Sequence, residues 1–131
     1  MIRVACAIIQ REGKVLATRR SAAMSNPLKW EFPGGKIEEG ETPEQCLVRE
    51  IREELCLDIL IRQKSQSVFY SYPDFDLALI PFVCDSENGG IRLKEHLEYI
   101  WILPDNLPDL DWSAADVPVM ENYLSSIHLS S

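Results

Sequence analysis

Hydrophobic and polar positions alternate between two periods along this chain, and the switches mark its elements. Residues 3–9, RVACAII, form an apolar run rich in β-branched positions, and residues 14–20, KVLATRR, follow the turn-like QREG. Two such runs around a Gly-containing break predict a β-hairpin. SAAMSNPLKW (21–30) has no period and reads as loop, because Pro27 disfavours helix at Asn26. EFPGGKIEEGE (31–41) is too rich in Gly and Pro for more than short pieces of strand. TPEQCLVREIREEL (42–55) then carries Cys46, Leu47, Ile51 and Leu55 at helical spacing, with polar residues between them. Thr42 suits the N-cap, Pro43 the first helical position, and Gln45 completes a capping box. The pattern predicts a helix over 43–55.

Beyond the helix the period returns to strand. DILIRQKSQSVFYSY (58–72) and FDLALIPFVCD (75–85) read as two long strands joined around YPD. ENGG (87–90) reads as a turn, EYIWIL (98–103) as a further strand, and AADVPVMENYLSSI (114–127) as a C-terminal helix with Pro118 in its first turn. Strands, helix, strands, helix predict an α+β chain with a mixed sheet between helices, an α/β/α sandwich.

Composition narrows this frame. The chain has 131 residues, 46% hydrophobic and 26% charged, which fits one domain spanning 1–131. Its apolar runs are too short to span a bilayer, and its N-terminus reads as a strand and not a signal peptide, so a cytoplasmic location is expected. The net charge of −8 argues against binding a nucleic-acid polymer, though a bound cation would still admit a small anionic ligand. Four cysteines, 6, 46, 56 and 84, lack metal-finger spacing and are expected as free thiols.

The chemistry concentrates on the first helix. Glu50, Glu53 and Glu54 stand at i, i+3 and i+4, so one face carries three like charges, while Arg49 and Arg52 are expected to project elsewhere. Such a cluster is either a solvated face or an oxygen site for Mg²⁺ or Mn²⁺. The Gly-rich stretch before the helix favours the metal, since Gly lets backbone approach a ligand closely.

From Gly35 to Leu57 the chain reads G-x5-E-x7-R-E-I-R-E-E-L-C-L. This resembles the box of the Nudix hydrolase family, G-x5-E-x7-R-E-U-x-E-E-x-G-U with U aliphatic. Gly35, Glu41, Arg49, Glu50, Ile51, Glu53, Glu54 and Leu57 fit, and Cys56 stands where the family has Gly. LKWEFPGGKIEEGETPEQ (28–45), TRR (18–20) and LKEHLEYIW (93–101) look like the MutT-like branch, and AADVPV (114–119) like its CTP pyrophosphohydrolases. The resemblance implies the Nudix fold and hydrolysis of a nucleoside triphosphate to the monophosphate and pyrophosphate. The substrate would be a cytosine-type or a modified, 8-oxo-dGTP-like nucleotide, and the chain a monomer or homodimer.

Residue by residue, the resemblance places metal on Glu50, Glu53, Glu54 and the carbonyl of Gly34. Glu53 and Glu95 are alternative general bases, Glu95 being otherwise a solvated loop residue. Gly35, Glu41 and Arg49 look structural, with Arg49 able to pair with Glu41 or a helix carboxylate. Lys36 is a candidate phosphate contact, and Arg20, Phe32 and Tyr70 are candidate lining residues. Asp116 occupies the base-reading place, unless it is only an N-cap. An ionised Asp only accepts hydrogen bonds, which favours an amino edge such as cytosine N4. His96 is expected beside the loop, without a metal-binding role. Two other readings remain: a Nudix hydrolase of a nucleotide sugar or dinucleoside polyphosphate, and a catalytically silent binding domain. At Cys56, either the residue takes the left-handed conformation at a cost of about 1 kcal/mol, or the helix runs on.

Overall fold

The structure, a computed structural model describing residues 1–129, is built on a strand that is buried on both sides. Strand β1 (Ile2–Arg11) alternates its side chains between two cores. Ala5, Ala7 and Ile9 face helix α1 (Pro43–Leu55), where Leu47, Ile51 and Leu55 are fully buried. Cys6 and Ile8 face the opposite core, which holds Val119, Met120 and Tyr123 of helix α2 (Asp116–Leu129). A strand hydrophobic on both faces needs a cover on each, and the two helices supply them. The expected α/β/α arrangement is thus present.

Strand β2 (Lys14–Arg19) pairs antiparallel with β1. The turn is only Glu12 and Gly13, both at positive φ (52° and 78°), so β1 continues through Gln10 and Arg11, which the sequence reading gave to the turn. Two residues at positive φ make the tight hairpin turn whose twist matches the strands. Short strands β3 (Trp30–Glu31) and β4 (Gly34–Lys36) pair with β2 and β1 respectively. Trp30 therefore lies in the sheet and not in the preceding loop.

The predicted strand over 58–72 is two strands, β5 (Ile59–Lys64) and β6 (Val68–Tyr72). Both run antiparallel along the same edge of the long strand β7 (Phe75–Ser86), whose other edge pairs parallel with β1. The interruption falls opposite Pro81, which has no N–H to give; its carbonyl instead accepts from Ser65 N at 2.8 Å. A Pro in a central strand is tolerated here because the neighbouring edge breaks where the donor is missing. The Pro73–Asp74 turn joins β6 to β7 as expected, whereas ENGG opens a longer loop and not a tight turn. Strand β8 (Glu98–Ile102) returns to pair with β2, and a short 3-10 helix (Pro104–Asp109), unread in the sequence, leads to α2. Among the described residues no helix is long and apolar enough to cross a membrane.

Helix α1 starts on the expected capping box, Thr42 Oγ1 accepting from Gln45 N at 3.1 Å and Gln45 Oε1 from Thr42 N at 3.0 Å. It ends at Cys56, which adopts the left-handed conformation (φ 57°, ψ 32°) and donates its N–H to Arg52 O. The strained alternative is therefore the one realised. Relief of about 1 kcal/mol of strain, partly offset by glycine's extra unfolded-state entropy, predicts a net gain of about 0.5 kcal/mol for Cys56→Gly. A β-branched Cys56→Val is expected to lose more than about 1 kcal/mol. Urea unfolding of the two variants reads the difference.

Candidate active site

Arg49 organises the acidic end of α1. Its guanidinium grips Glu41 with both prongs, Nε to Oε2 at 2.7 Å and Nη2 to Oε1 at 2.9 Å. Nη1 donates to Glu50 at 2.9 Å and to Glu53 at 3.3 Å. Arg49 thus reaches the glutamate face, where the helical spacing alone had placed it elsewhere. These hydrogen bonds, with a further one from Glu38 N, hold the Glu41 carboxyl down at about 2, and they raise the Arg49 guanidinium above its ordinary value. The loop before the helix is in this way fixed to the helix.

The glycines before that loop are demanded by contact. A Cβ on Gly34 would stand 1.9 Å from Ala5 O, and one on Gly35 would stand 2.2 Å from the Glu50 carboxyl carbon. Glu50 thus lies flat against bare backbone and is held on its other side by Arg49.

A cavity of about 410 Å³ opens here, walled by Lys36, Glu50, Glu54, Glu95 and His96 together with Glu31. Glu54 has one carboxyl oxygen, Oε2, that is buried and without a hydrogen-bond partner. Burial, then the charges of Glu95 and Glu50, raise the Glu54 carboxyl above its ordinary value. An unpartnered carboxylate beside two more is a donor set that fits a hard divalent cation. Glu53 does not line this cavity; it faces an outer groove with Arg52 and remains tied to Arg49. Among the described residues no three His, Cys, Asp or Glu side chains converge closely enough to hold an ion together as they stand. Glu95 is an exposed loop residue that lines this cavity, its chain tethered nearby by Lys94 N to Glu54 O at 3.3 Å.

A second cavity, about 370 Å³, adjoins the first. Phe32, Tyr72, Phe75 and Leu79 give it apolar walls, and Asp116 and Ser113 are its buried polar groups. Arg20, Glu31, Gly34, Gly35 and Lys36 border both cavities. Phe32 is at once lining and core, stacked on Trp112 with ring centroids 4.6 Å apart. Tyr70 is not on this wall. It packs on Tyr72 at 4.7 Å, and Tyr72 takes the lining place with its hydroxyl accepting from Ala115 N. Arg20 is committed to an ion pair with Glu31 and to Ser25 of its own loop.

Asp116 opens α2, and its carboxyl is turned away from a capping role to accept from Phe32 N at 2.8 Å. Burial first, and then Glu31, push this carboxyl up to about 8. At neutral pH it is a neutral acid, able to donate as well as accept. This corrects the premise that it only accepts. Glu31, His96, Tyr72 and Phe75 were missed as site residues. Glu31 had one signal, a charged residue inside WEFPGG where only a short piece of strand was expected.

Fold and site together define an α/β/α protein with an acidic helix end opening beside an apolar slot. The family model described as the NUDIX domain matches residues 1–123, and the chain belongs to that family of hydrolases. Among curated relatives it is 32% identical over 125 residues to the CTP pyrophosphohydrolase of Escherichia coli K12, covering 95% of this chain and 93% of the relative. It is 34% identical over 120 residues to the 8-oxo-dGTP diphosphatase of the same strain, covering 91% and 93%. Among solved structures, the solution structure of the E. coli ORF135 protein aligns with a TM-score of 0.82 at 31% identity, over 95% of this chain and 89% of that one.

Because a Cβ at Gly35 would displace Glu50, Gly35→Ala is expected to lower turnover by about 100-fold, as an ångström of misplacement does, with circular dichroism unchanged. The folded Asp116 value lies above the ordinary 3.8, so the unfolded chain gives up this proton first as pH rises. Wild-type stability therefore declines between about pH 4 and 8 from this group, and Asp116→Asn is expected to remove that decline. The difference between the urea midpoints of the two proteins should grow steadily from about pH 4 to about pH 8.

Proposed function

We propose that the protein is a divalent-metal-dependent nucleoside triphosphate pyrophosphohydrolase, converting (d)NTP to (d)NMP and pyrophosphate. The observation that carries this reading is the buried, unpartnered carboxyl oxygen of Glu54 on the wall of an acidic cavity that adjoins an apolar one. Glu50 and Glu54, with the Gly34 carbonyl, would hold Mg²⁺ or Mn²⁺, and Glu53 would join them on release from Arg49. A cation bound there supplies phosphate charge neutralisation and an activated water. Lys36 extends toward the polyphosphate, and Glu95 or Glu53 takes the proton of the attacking water. Phosphoryl chemistry depends on such positioning and electrostatics more than on covalent help.

Phe32 and Tyr72 would sandwich or flank the base, and Asp116 would read its edge. One Asp116 oxygen already serves Phe32 N, which leaves the other for the ligand. Protonated, that oxygen donates to a base carbonyl; ionised, it accepts from an amino group such as cytosine N4. Cytosine-type nucleotides and modified or oxidised ones both fit this carboxyl, and the names of the relatives support the same pair. The Asp116 state decides between them. A nucleotide sugar or dinucleoside polyphosphate as substrate is the second reading, and it rests on the family alone.

The test is pyrophosphate release with Mg²⁺ from CTP, dCTP, 5-methyl-dCTP, 8-oxo-dGTP and dGTP. At least one is expected to give monophosphate and pyrophosphate, and EDTA to stop it. The preference for cytosine nucleotides over 8-oxo-dGTP is expected to grow as pH rises through about 8. Pyrophosphate from none of the five would overturn the reading.

A further inference from the structure

His96 stands one residue after Glu95, yet its ring is buried where Glu95 is exposed. Its side chain is only 7% exposed, and both ring nitrogens are shielded from solvent without a hydrogen-bond partner. Nε2 lies 3.6 Å from Glu31 Oε2, beyond a hydrogen bond but within reach of one after a small shift. Glu31 in turn pairs with Arg20 on the border of the apolar cavity. On its other side the ring shares a cavity wall with Glu54, whose Oε2 is also unpartnered. Leaving three buried polar atoms unpaired is costly in a finished core. Here they line the acidic cavity beside Glu31, which borders both cavities.

The backbone shows what the ring secures. Arg92 N donates to Leu55 O at 3.0 Å, Lys94 N to Glu54 O at 3.3 Å, and Leu97 N to Arg19 O at 2.9 Å. These bonds fasten the loop to the end of α1 on one side and to β2 on the other. Between the last two anchors lie only Glu95 and His96, one side chain out toward the carboxylates and one in.

We propose that His96 is a positioning residue, its buried imidazole plugged between Glu31 and the Glu54 wall so that the loop holds Glu95 over the reaction site. This rests on the pyrophosphohydrolase reading and adds to it a link between the two cavities. Nucleotide contacts that shift Glu31 or Arg20 reach the ring directly, and through it the backbone that carries Glu95.

His96→Leu fills the space without polar atoms, and His96→Gln restores a donor and an acceptor. In His96→Leu, kcat is expected to fall about 10-fold or more with KM within about threefold, the signature of lost transition-state positioning. His96→Gln is expected to recover most of that loss. A double variant, Glu95→Ala with His96→Leu, is expected to be no slower than Glu95→Ala alone within about twofold, since residues acting as a unit are not additive. In metal-free, nucleotide-free protein, amide exchange at Lys94 and Leu97 is expected to accelerate in His96→Leu while α1 is unchanged. Losses that multiply in the double variant, or exchange that stays at the wild-type rate, would overturn the role of His96. Wild-type protein that makes no pyrophosphate would instead overturn the pyrophosphohydrolase reading, and the exchange measurement would still decide whether His96 holds the loop.

Discussion

The fork of Arg49 on Glu41 is the contact on which the rest of the site depends. It joins the loop after β4 to the helix that follows, and the same guanidinium reaches Glu50 and Glu53. Exposed ion pairs contribute little to stability, but a bidentate grip that spans eight residues of chain fixes geometry. With the loop fixed, Gly34 and Gly35 press against β1 and Glu50, at distances no side chain would permit. Glu50 is then confined between backbone and Arg49, and Glu54, one turn on, is turned inward with an oxygen unsatisfied.

The acidity of the chain is concentrated where it costs most. Glu31, Glu54 and Asp116 are half-buried or buried within two adjoining cavities; burial and then Glu95 and Glu50 raise the cost of ionising Glu54, and burial and then Glu31 that of ionising Asp116. The structure answers in different ways. Glu31 takes Arg20, Asp116 keeps its proton at neutral pH, and Glu54 is left without a partner.

Much of this was legible in the sequence because it depends on local rules. The capping box, the buried stripe of α1 and the hairpin follow from spacing alone. Gly35, Glu41 and Arg49 could be read together because their contacts lie within a short span of chain. What was not legible depends on distant register. The split of β5 from β6 requires knowing that Pro81 sits in a strand with partners on both edges. Tyr72, and not Tyr70, lines the apolar cavity because of where β6 ends against β7 and Ala115. Asp116 lines the apolar cavity, but its neutral state comes from burial beside Glu31, residues far apart in sequence.

The charge balance of the site argues for a cation from outside the chain. An anionic ligand approaching Glu50, Glu54 and Glu95 would meet carboxylates first. The positive side chains at hand are mostly spent, Arg49 on four glutamates and Arg20 on Glu31. Lys36 alone would leave the balance of charge against a triphosphate. A divalent ion reverses that balance locally, which the net charge of the whole protein cannot do. The same ion would complete the coordination that the unpartnered Glu54 oxygen lacks. The two deficits, repulsion of an anionic ligand and an unsatisfied buried oxygen, would have one remedy, and with it so acidic a face would admit a polyphosphate.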